Sequence, residues 1–557
     1  MTKPTMARDE LLRLLARMPF LDRLELAALS GRSRGAVYAV AGQLEDAGLV
    51  RSLRHGTELV APTRRYRLTA AGVRRLADAE RVSVERLLQE HPLAARCQRA
   101  LLERLDAVAA LYRLAVAVSD LHHPIGFRWY RAMPADAALV LPDGRVVAVV
   151  RLGGALDRTA VAKRLSRLAR GRQPGGFLVI VPDETRLRQA RRLLRGGHAP
   201  AVLATERSAA WASPSDPAWR LPGTGAAVSL AEAILRMNPG GALPIEEPPA
   251  RLSLPEDFDT EDRSSKGTPD LRLLPARLRP AEKRALDLLA DWPWLSLGHL
   301  AGMLGVTAQR ASQLVTALED HGLARVVRQD RRRLVLTDAG LTLLARRDRA
   351  AVGLARRRWS TAPAGDGSDG GNDDWRGVSG RRSRQLLRDL EHTAAVHGFM
   401  AALARQARQT GWRVEQLDPP HRASRYFRHY GRLRSLQPDA FLMLRKGRRA
   451  HPCFLEWERR AVRPATMAAR IAPYLRYYSS HRPLDDHGAS PFLLAVFDDP
   501  IAQTHFLEVA GREMDRLRTT VPLLASSREL VQREGPLGRA WLIPGHWEPV
   551  APLNRDD

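Results

Sequence analysis

Residues 15–31, LARMPFLDRLELAALSG, line up without a gap on residues 289–305, LADWPWLSLGHLAGMLG, and residues 43–51 line up on 317–325 at the same offset of 274. Glycine, proline and an LED-x-GL stretch recur at matching positions, so one structural unit is used twice. After a loop of different length, LTAAG at Leu68 meets LTDAG at Leu336. Farther on, residues 101–117 are echoed by 386–402, residues 135–154 by 438–460, GFLVIVPD at Gly176 by PFLLAVFDD at Pro491, and AWRLPG by AWLIPG. Whatever fold is built must bury the same apolar pattern twice. A length of 557 residues leaves room for several domains, at roughly one per 100–200 residues.

In each copy the apolar spacing predicts three short helices and a hairpin. In the first, Leu11, Leu14 and Leu15 form one stripe. Leu24, Leu26 and Leu29 form a second that ends at Gly31, and Val37, Val40 and Leu44 a third behind an N-cap at Ser33. A basic loop then separates two strand-like runs, which is the layout of a winged helix-turn-helix. The expected modules span residues 6–80 and 280–350. Strands alternating with helices follow over 81–223 and 385–545, which indicates an α/β domain in each copy. A Pro-rich acidic linker, 224–279, and a disordered insertion, 360–384, complete the division. The expected fold class is α/β with all-α winged-helix modules, duplicated in tandem, so that a monomer acquires pseudo-two-fold symmetry.

A formal net charge of +27 points to a polyanionic partner, double-stranded DNA above all. Only five of the 88 basic residues are lysine, so genomic base composition competes with selection as the source of the arginine excess. Two cysteines supply neither a disulfide framework nor a zinc site, and they fit a reducing cytoplasm. No run of 18 apolar residues occurs, so no membrane is expected, and no GxxxxGK[ST] motif marks an NTPase. In the first module Arg34 and Tyr38 lie on the exposed face of the third helix, and Arg64 and Arg65 in the wing. The second module offers more base-reading chemistry. Behind an N-cap at Thr307 its third helix exposes Gln309, Arg310 and Gln313, which can bond adenine and guanine edges in bidentate fashion. Its wing carries Arg328, Arg331, Arg332 and Arg333 for phosphates. The competing reading is a protein-binding module with a solvated basic wing.

Residues 438–460, PDAFLMLRKGRRAHPCFLEWERR, read as two adjacent strands about a turn at Gly447. Asp439 stands at the start of the first. In the second, a period of two puts Phe454, Glu456 and Glu458 on one face and Cys453, Leu455 and Trp457 on the other. Asp439, Glu456 and Glu458 can then converge as oxygen ligands for Mg²⁺ or Mn²⁺ and support phosphodiester cleavage; the alternative is a charged strand edge. In the first copy Asp136 matches Asp439, but Val150 or Arg151 and Leu152 or Gly153 stand for the glutamates, so any chemistry belongs to the second copy. Tyr474, Tyr477 and Tyr478 on the following basic helix are candidate nucleophiles, with packing or phosphate contact the competing role. His392 and His397 are read as core or hydrogen-bonding residues.

With LEHTAAVHGFMAAL, PDAFLML, FLEWERR, YLRYY, PFLLAVFDD and the late AWLIPG, the second copy resembles the replication-relaxation family, which is associated with plasmid replication and relaxation and with mobile elements. The first copy resembles it more weakly. That family is similar in turn to the PD-(D/E)XK nuclease fold. The resemblance implies that Asp439, Glu456 and Glu458 hold the catalytic and metal-binding positions, with Glu458 where such nucleases usually carry lysine. It implies duplex DNA and plasmid replication or transfer proteins as partners. Three functions follow as expectations: a DNA-binding protein of the replication-relaxation type, a Mg²⁺-dependent DNA-nicking endonuclease, and a transcriptional regulator or transfer-apparatus scaffold with a pseudonuclease domain.

Overall fold

The computed structural model describes residues 3–131, 134–170, 174–197, 200–242, 246–247, 251–256, 270–328, 331–363, 377–458 and 464–553. Part of the expected linker, 243–245, 248–250 and 257–269, about half of the expected insertion, 364–376, and the side chain of Arg328 lie outside the described residues. The chain is mixed α/β and divides into two compact units, Met1–Lys283 with Leu341–Ala355 and Arg284–Gly340 with Arg356–Asp557.

The first unit opens with helices Lys3–Arg17, Arg23–Ser30 and Arg34–Asp46, followed by an antiparallel hairpin of Val50–His55 and Thr63–Leu68. Local chemistry sets the boundaries. Asp22 accepts from the Leu24 and Glu25 amides while Glu25 accepts from the Asp22 amide, a capping box. Gly31, at a left-handed φ of 65°, ends the second helix, and Ser33 caps the third. Leu11, Leu15, Leu26, Val37 and Leu44 meet in one core. Beyond connecting helices lies a sheet whose neighbours in space are neighbours in sequence: Gly126–Trp129, Ala137–Val140, Val146–Arg151, Gly176–Val181, Ala201–Thr205, Trp219–Arg220 and Ala227–Val228. The three central strands are parallel, which requires crossovers, and helices Arg158–Arg170 and Glu184–Leu194 supply them. Gly176–Val181, GFLVIV, is buried at every residue, as a strand covered on both faces must be.

The second unit follows the same plan. Helices Leu297–Leu304 and Ala308–Asp320, capped by Ser296 and Thr307, precede the hairpin of Ala324–Arg328 and Arg332–Leu336. Its sheet comprises Arg413–Asp418, Ala440–Lys446, Arg449–Glu458, Phe492–Phe497, Leu523–Ser527, Trp541–Ile543 and His546–Val550. Strand order and the alternation of antiparallel and parallel neighbours match those of the first sheet. Helix Leu390–Gln409 lies against one face, where Phe399 meets Trp457 with ring centroids 6.1 Å apart. Helices Pro464–Tyr478 and Pro500–Leu517 cover the other, where Phe454, Ile471 and Phe506 share a core. The expected division of faces along Arg449–Glu458 is therefore observed. Between the first two strands of this sheet the chain makes a separate hairpin, Arg425–His429 with Arg432–Leu436, which has no counterpart among the described residues of the first unit. Within the stretches expected as linker and insertion, Leu230–Leu235 and Leu274–Arg277 are helical and helix Arg381–Arg388 begins. Among the described residues no helix is long and apolar enough to cross a membrane.

Candidate functional site

Asp439 enters strand Ala440–Lys446 with its amide bonded to the Leu455 carbonyl at 2.9 Å, which sets its side chain beside the neighbouring strand. There Oδ2 accepts from the Trp457 amide at 2.8 Å, and Oδ1 lies 3.1 Å from His392 Nε2 on helix Leu390–Gln409. Glu456 Oε1 accepts the Tyr474 hydroxyl at 2.5 Å. Burial first, and then the negative charge of Asp439, push the Glu456 carboxyl up to about 8, so at neutral pH it keeps a proton that an ordinary glutamate has lost. Glu458 is buried and paired with Arg470. The expected trio is thus an interacting pair, Asp439 and Glu456, with Glu458 neutralised by a guanidinium. Among the described residues no group of three or more His, Cys, Asp or Glu is arranged to hold a metal ion. The three tyrosines are engaged inside the fold: Tyr474 with Glu456, Tyr477 with Asp486 at 2.9 Å, and Tyr478 with the Pro491 carbonyl. Burial raises the Tyr474 and Tyr478 hydroxyls well above the ordinary tyrosine range, which disfavours the phenolate a nucleophile needs.

Backbone bonds remove the one residue of slack in matching the two copies. The Asp136 amide bonds the Val149 carbonyl at 2.9 Å and its Oδ2 accepts from the Arg151 amide at 2.7 Å, the same two bonds that Asp439 makes with Leu455 and Trp457. Val150 therefore stands for Glu456 and Leu152 for Glu458. At that offset of 306, Leu168 stands for Tyr474 and Arg164 for Arg470. Val150 and Leu168 share an apolar core, so a hydrogen-bonded pair in one unit is a hydrocarbon pair in the other. Asp136 itself is wrapped in cations. Its Oδ1 accepts from Arg104 and Arg349, each at 2.9 Å, and its Oδ2 from Arg164 at 2.6 Å. Burial acts to raise its pKa, but the three guanidiniums hold it well below the ordinary carboxylate range. Arg349 comes from Leu341–Ala355, as does Asp348, which accepts from Arg151 Nη1 and the Ala155 amide, both at 2.8 Å. Charged side chains of the unit itself thus saturate the first copy's acid.

Helix Ala308–Asp320 buries Ala311, Leu314, Val315 and Leu318 and exposes Gln309, Arg310, Ser312, Gln313 and Thr316. Thr307 accepts from the Arg310 amide at 3.2 Å, and Arg310 Nη1 donates to Gln313 Oε1 at 3.1 Å, which holds the two long side chains on one exposed turn. Arg331 and Arg332 are exposed on the hairpin. Two expected phosphate contacts require correction. Arg333 is buried, and Arg65 is fully buried, donating to Glu25 and to the Phe20 carbonyl, each at 2.9 Å; from these positions onward both strands are buried on both faces. Arg34, Tyr38 and Arg64 are exposed, with the Arg23 guanidinium 5.0 Å from the Tyr38 ring centroid and Arg64 3.7 Å from Glu45.

His392, Tyr474 and Arg470 belong to the acid site although none was assigned there from sequence. Arg470 and Tyr474 are four residues apart on one helix, a spacing that places both on the face toward strand Arg449–Glu458 and could have identified them. No curated protein and no solved structure matches the chain. Residues 297–493, from helix Leu297–Leu304 through both acids to strand Phe492–Phe497, match the model for replication-relaxation.

Proposed function

We propose that the protein is a duplex-DNA-binding protein of the plasmid and mobile-element replication-relaxation type, built as a tandem duplication of a winged helix and a PD-(D/E)XK-like domain. The observation that carries this reading is helix Ala308–Asp320, whose buried stripe leaves Gln309, Arg310, Ser312, Gln313 and Thr316 facing out, beside Arg331 and Arg332 on a chain of net charge +27. Arg and Gln read bases, whereas the hairpin arginines neutralise phosphates. The test is a salt titration of binding to duplex DNA. Affinity is expected to fall steeply and log-linearly with salt, and Arg310→Ala with Gln313→Ala is expected to reduce preference among sequences more than affinity for bulk duplex. Absence of salt-sensitive binding overturns the reading.

One observation favours a second activity, metal-dependent nicking. Burial, and after it the charge of nearby Asp439, keeps Glu456 protonated, and a divalent cation between the two would offset both effects. Asp439 and Glu456 would hold Mg²⁺ or Mn²⁺, while Glu458 is held by Arg470. When bound, such an ion would activate water and offset phosphate charge. His392 and the Trp457 amide orient Asp439, and Tyr474 orients Glu456. Calorimetric titration with Mn²⁺ is expected to show proton release on binding, lost in Glu456→Gln, and supercoiled plasmid to be nicked by the wild type alone. Equal heats and equal topoisomer patterns for both proteins overturn it.

A further inference from the structure

The hairpin Arg425–His429 with Arg432–Leu436 interrupts the second sheet's chain path between strands Arg413–Asp418 and Ala440–Lys446, and only Gln437, Pro438 and Asp439 separate it from Ala440. Its root is fixed. Phe427 and Leu436 are buried in the core shared with Phe454, Ile471, Tyr474 and Tyr477. Arg425 is buried, with its guanidinium 4.6 Å from the Phe441 ring centroid, and donates to the Ala423 carbonyl at 2.7 Å. Its tip is the opposite. His429 pairs with Arg432, leaving the two-residue turn Tyr430–Gly431 at φ 46° and 72°. Positive φ at both positions is the type I′ turn, which favours Asn, Asp or Gly at the first. A bulky aromatic there is disfavoured by its backbone, and burial offers no compensation, because Tyr430 is 91% exposed. Leu433 is 68% exposed, Tyr426, Arg428, Arg432 and Arg434 are exposed, and residues 419–438 contain no Asp or Glu.

We infer that this hairpin is a nucleobase-binding wedge, in which Tyr430 stacks on an unpaired base while Arg428, Arg432 and Arg434 hold the flanking phosphates. The inference rests on the DNA-binding reading and adds to it an opened segment of DNA as ligand. Aromatic rings interleaved with guanidiniums suit single-stranded nucleic acid because every base offers a π face and every linkage a negative charge. The Arg428 Nη1 bond to the Gly431 carbonyl at 2.9 Å braces the turn, so the ring is presented by a stiff arm. Position ties the wedge to the acids. The hairpin root packs in the same core as helix Pro464–Tyr478, which carries Arg470 and Tyr474, and the chain passes from Leu436 to Asp439 within three residues. An opened base pair held at the tip would lie in DNA running toward Asp439 and Glu456.

The test uses the full chain and two oligonucleotides of one sequence, a fully paired duplex and a fork carrying 2-aminopurine at the first unpaired base. The wild type is expected to bind the fork more tightly than the duplex and to quench the probe. Tyr430→Asn suits the left-handed turn, so it should leave the melting temperature unchanged or higher, yet lower fork affinity about tenfold or more with duplex affinity unchanged. Tyr430→Phe is expected to retain fork binding. If Tyr430→Asn binds and quenches like the wild type, or if the wild type binds duplex without preferring the fork, the wedge is overturned while DNA binding stands. If the wild type binds neither, both readings fall.

Discussion

Glu456 and Val150 occupy one backbone position in two settings, and the contrast gives the residue its physical meaning. Where the facing helix offers Tyr474 the strand carries a glutamate, and where it offers Leu168 the strand carries valine. Replacing one member of the polar pair alone leaves the other buried without its partner, which costs roughly 1–3 kcal/mol. The double change Glu456→Val with Tyr474→Leu is therefore expected to destabilise less than the sum of its parts, by about 0.5–3 kcal/mol in urea unfolding. Additive effects would mean that the two side chains do not act together. The acid also leaves a signature in pH. Its folded-state pKa of about 8 lies above the ordinary 4.5, so the folded chain holds an extra proton between these values. This stabilisation is present at the acidic end and lost as pH rises toward 8. Melting temperature is expected to drop less across that alkaline half for Glu456→Gln than for the wild type. An identical profile would place Glu456 in water.

At the scale of elements, the helix and hairpin modules were legible where apolar spacing was regular. Val37 and Leu44, or Leu314 and Leu318, mark a buried stripe unambiguously, and the exposed set follows by subtraction. The hairpins were less legible because arginine occupies both faces. Arg65 and Arg333 look like their exposed neighbours, and only the buried partners, such as Glu25 for Arg65, reveal that they point inward. The inserted hairpin is hidden for a related reason: four arginines mask the buried pattern of Phe427 and Leu436, and the repeat offers no counterpart to it. For the surface arginines the expectation is quantitative. Removing Arg331 and Arg332 together should lower the slope of log affinity against log salt by about 2, since each phosphate neutralised contributes roughly 0.9. Arg333→Ala should instead lower stability, because it empties a buried position. Thr307→Ala should cost about 1 kcal/mol through the lost cap of helix Ala308–Asp320, read by thermal or urea unfolding.

Taken whole, the chain shows how far a repeat carries a reading and where it stops. Strand order and helix placement agree between the units because the same apolar pattern must be buried twice. The acid of the first copy could not be placed so easily: Arg104, Arg164 and Arg349 converge on Asp136 from positions as far apart in sequence as 104 and 349, and ion pairs leave no local pattern. The buried histidines make the sum of such hidden groups measurable. Burial, reinforced by Lys283 at His55, by Arg333 at His299 and by His299 at His397, lowers their pKa values to about 3, 4 and 3. Each is neutral in the fold, and each takes up a proton more readily when unfolded. Their stabilisation is present above the ordinary histidine value of 6.5 and lost as pH falls from there through the folded values. Burial lowers His91 and His451 in the same sense, while Glu456, raised to about 8, works in the opposite direction above 4.5, as do Glu25 and Glu206. Melting temperature is therefore expected to peak near neutral pH, to fall steeply on the acid side and to fall gently on the alkaline side. His397→Gln should flatten the acid limb by the one proton that His397 takes up on unfolding; an unchanged limb would mean that His397 titrates as freely in the folded chain as in the unfolded one.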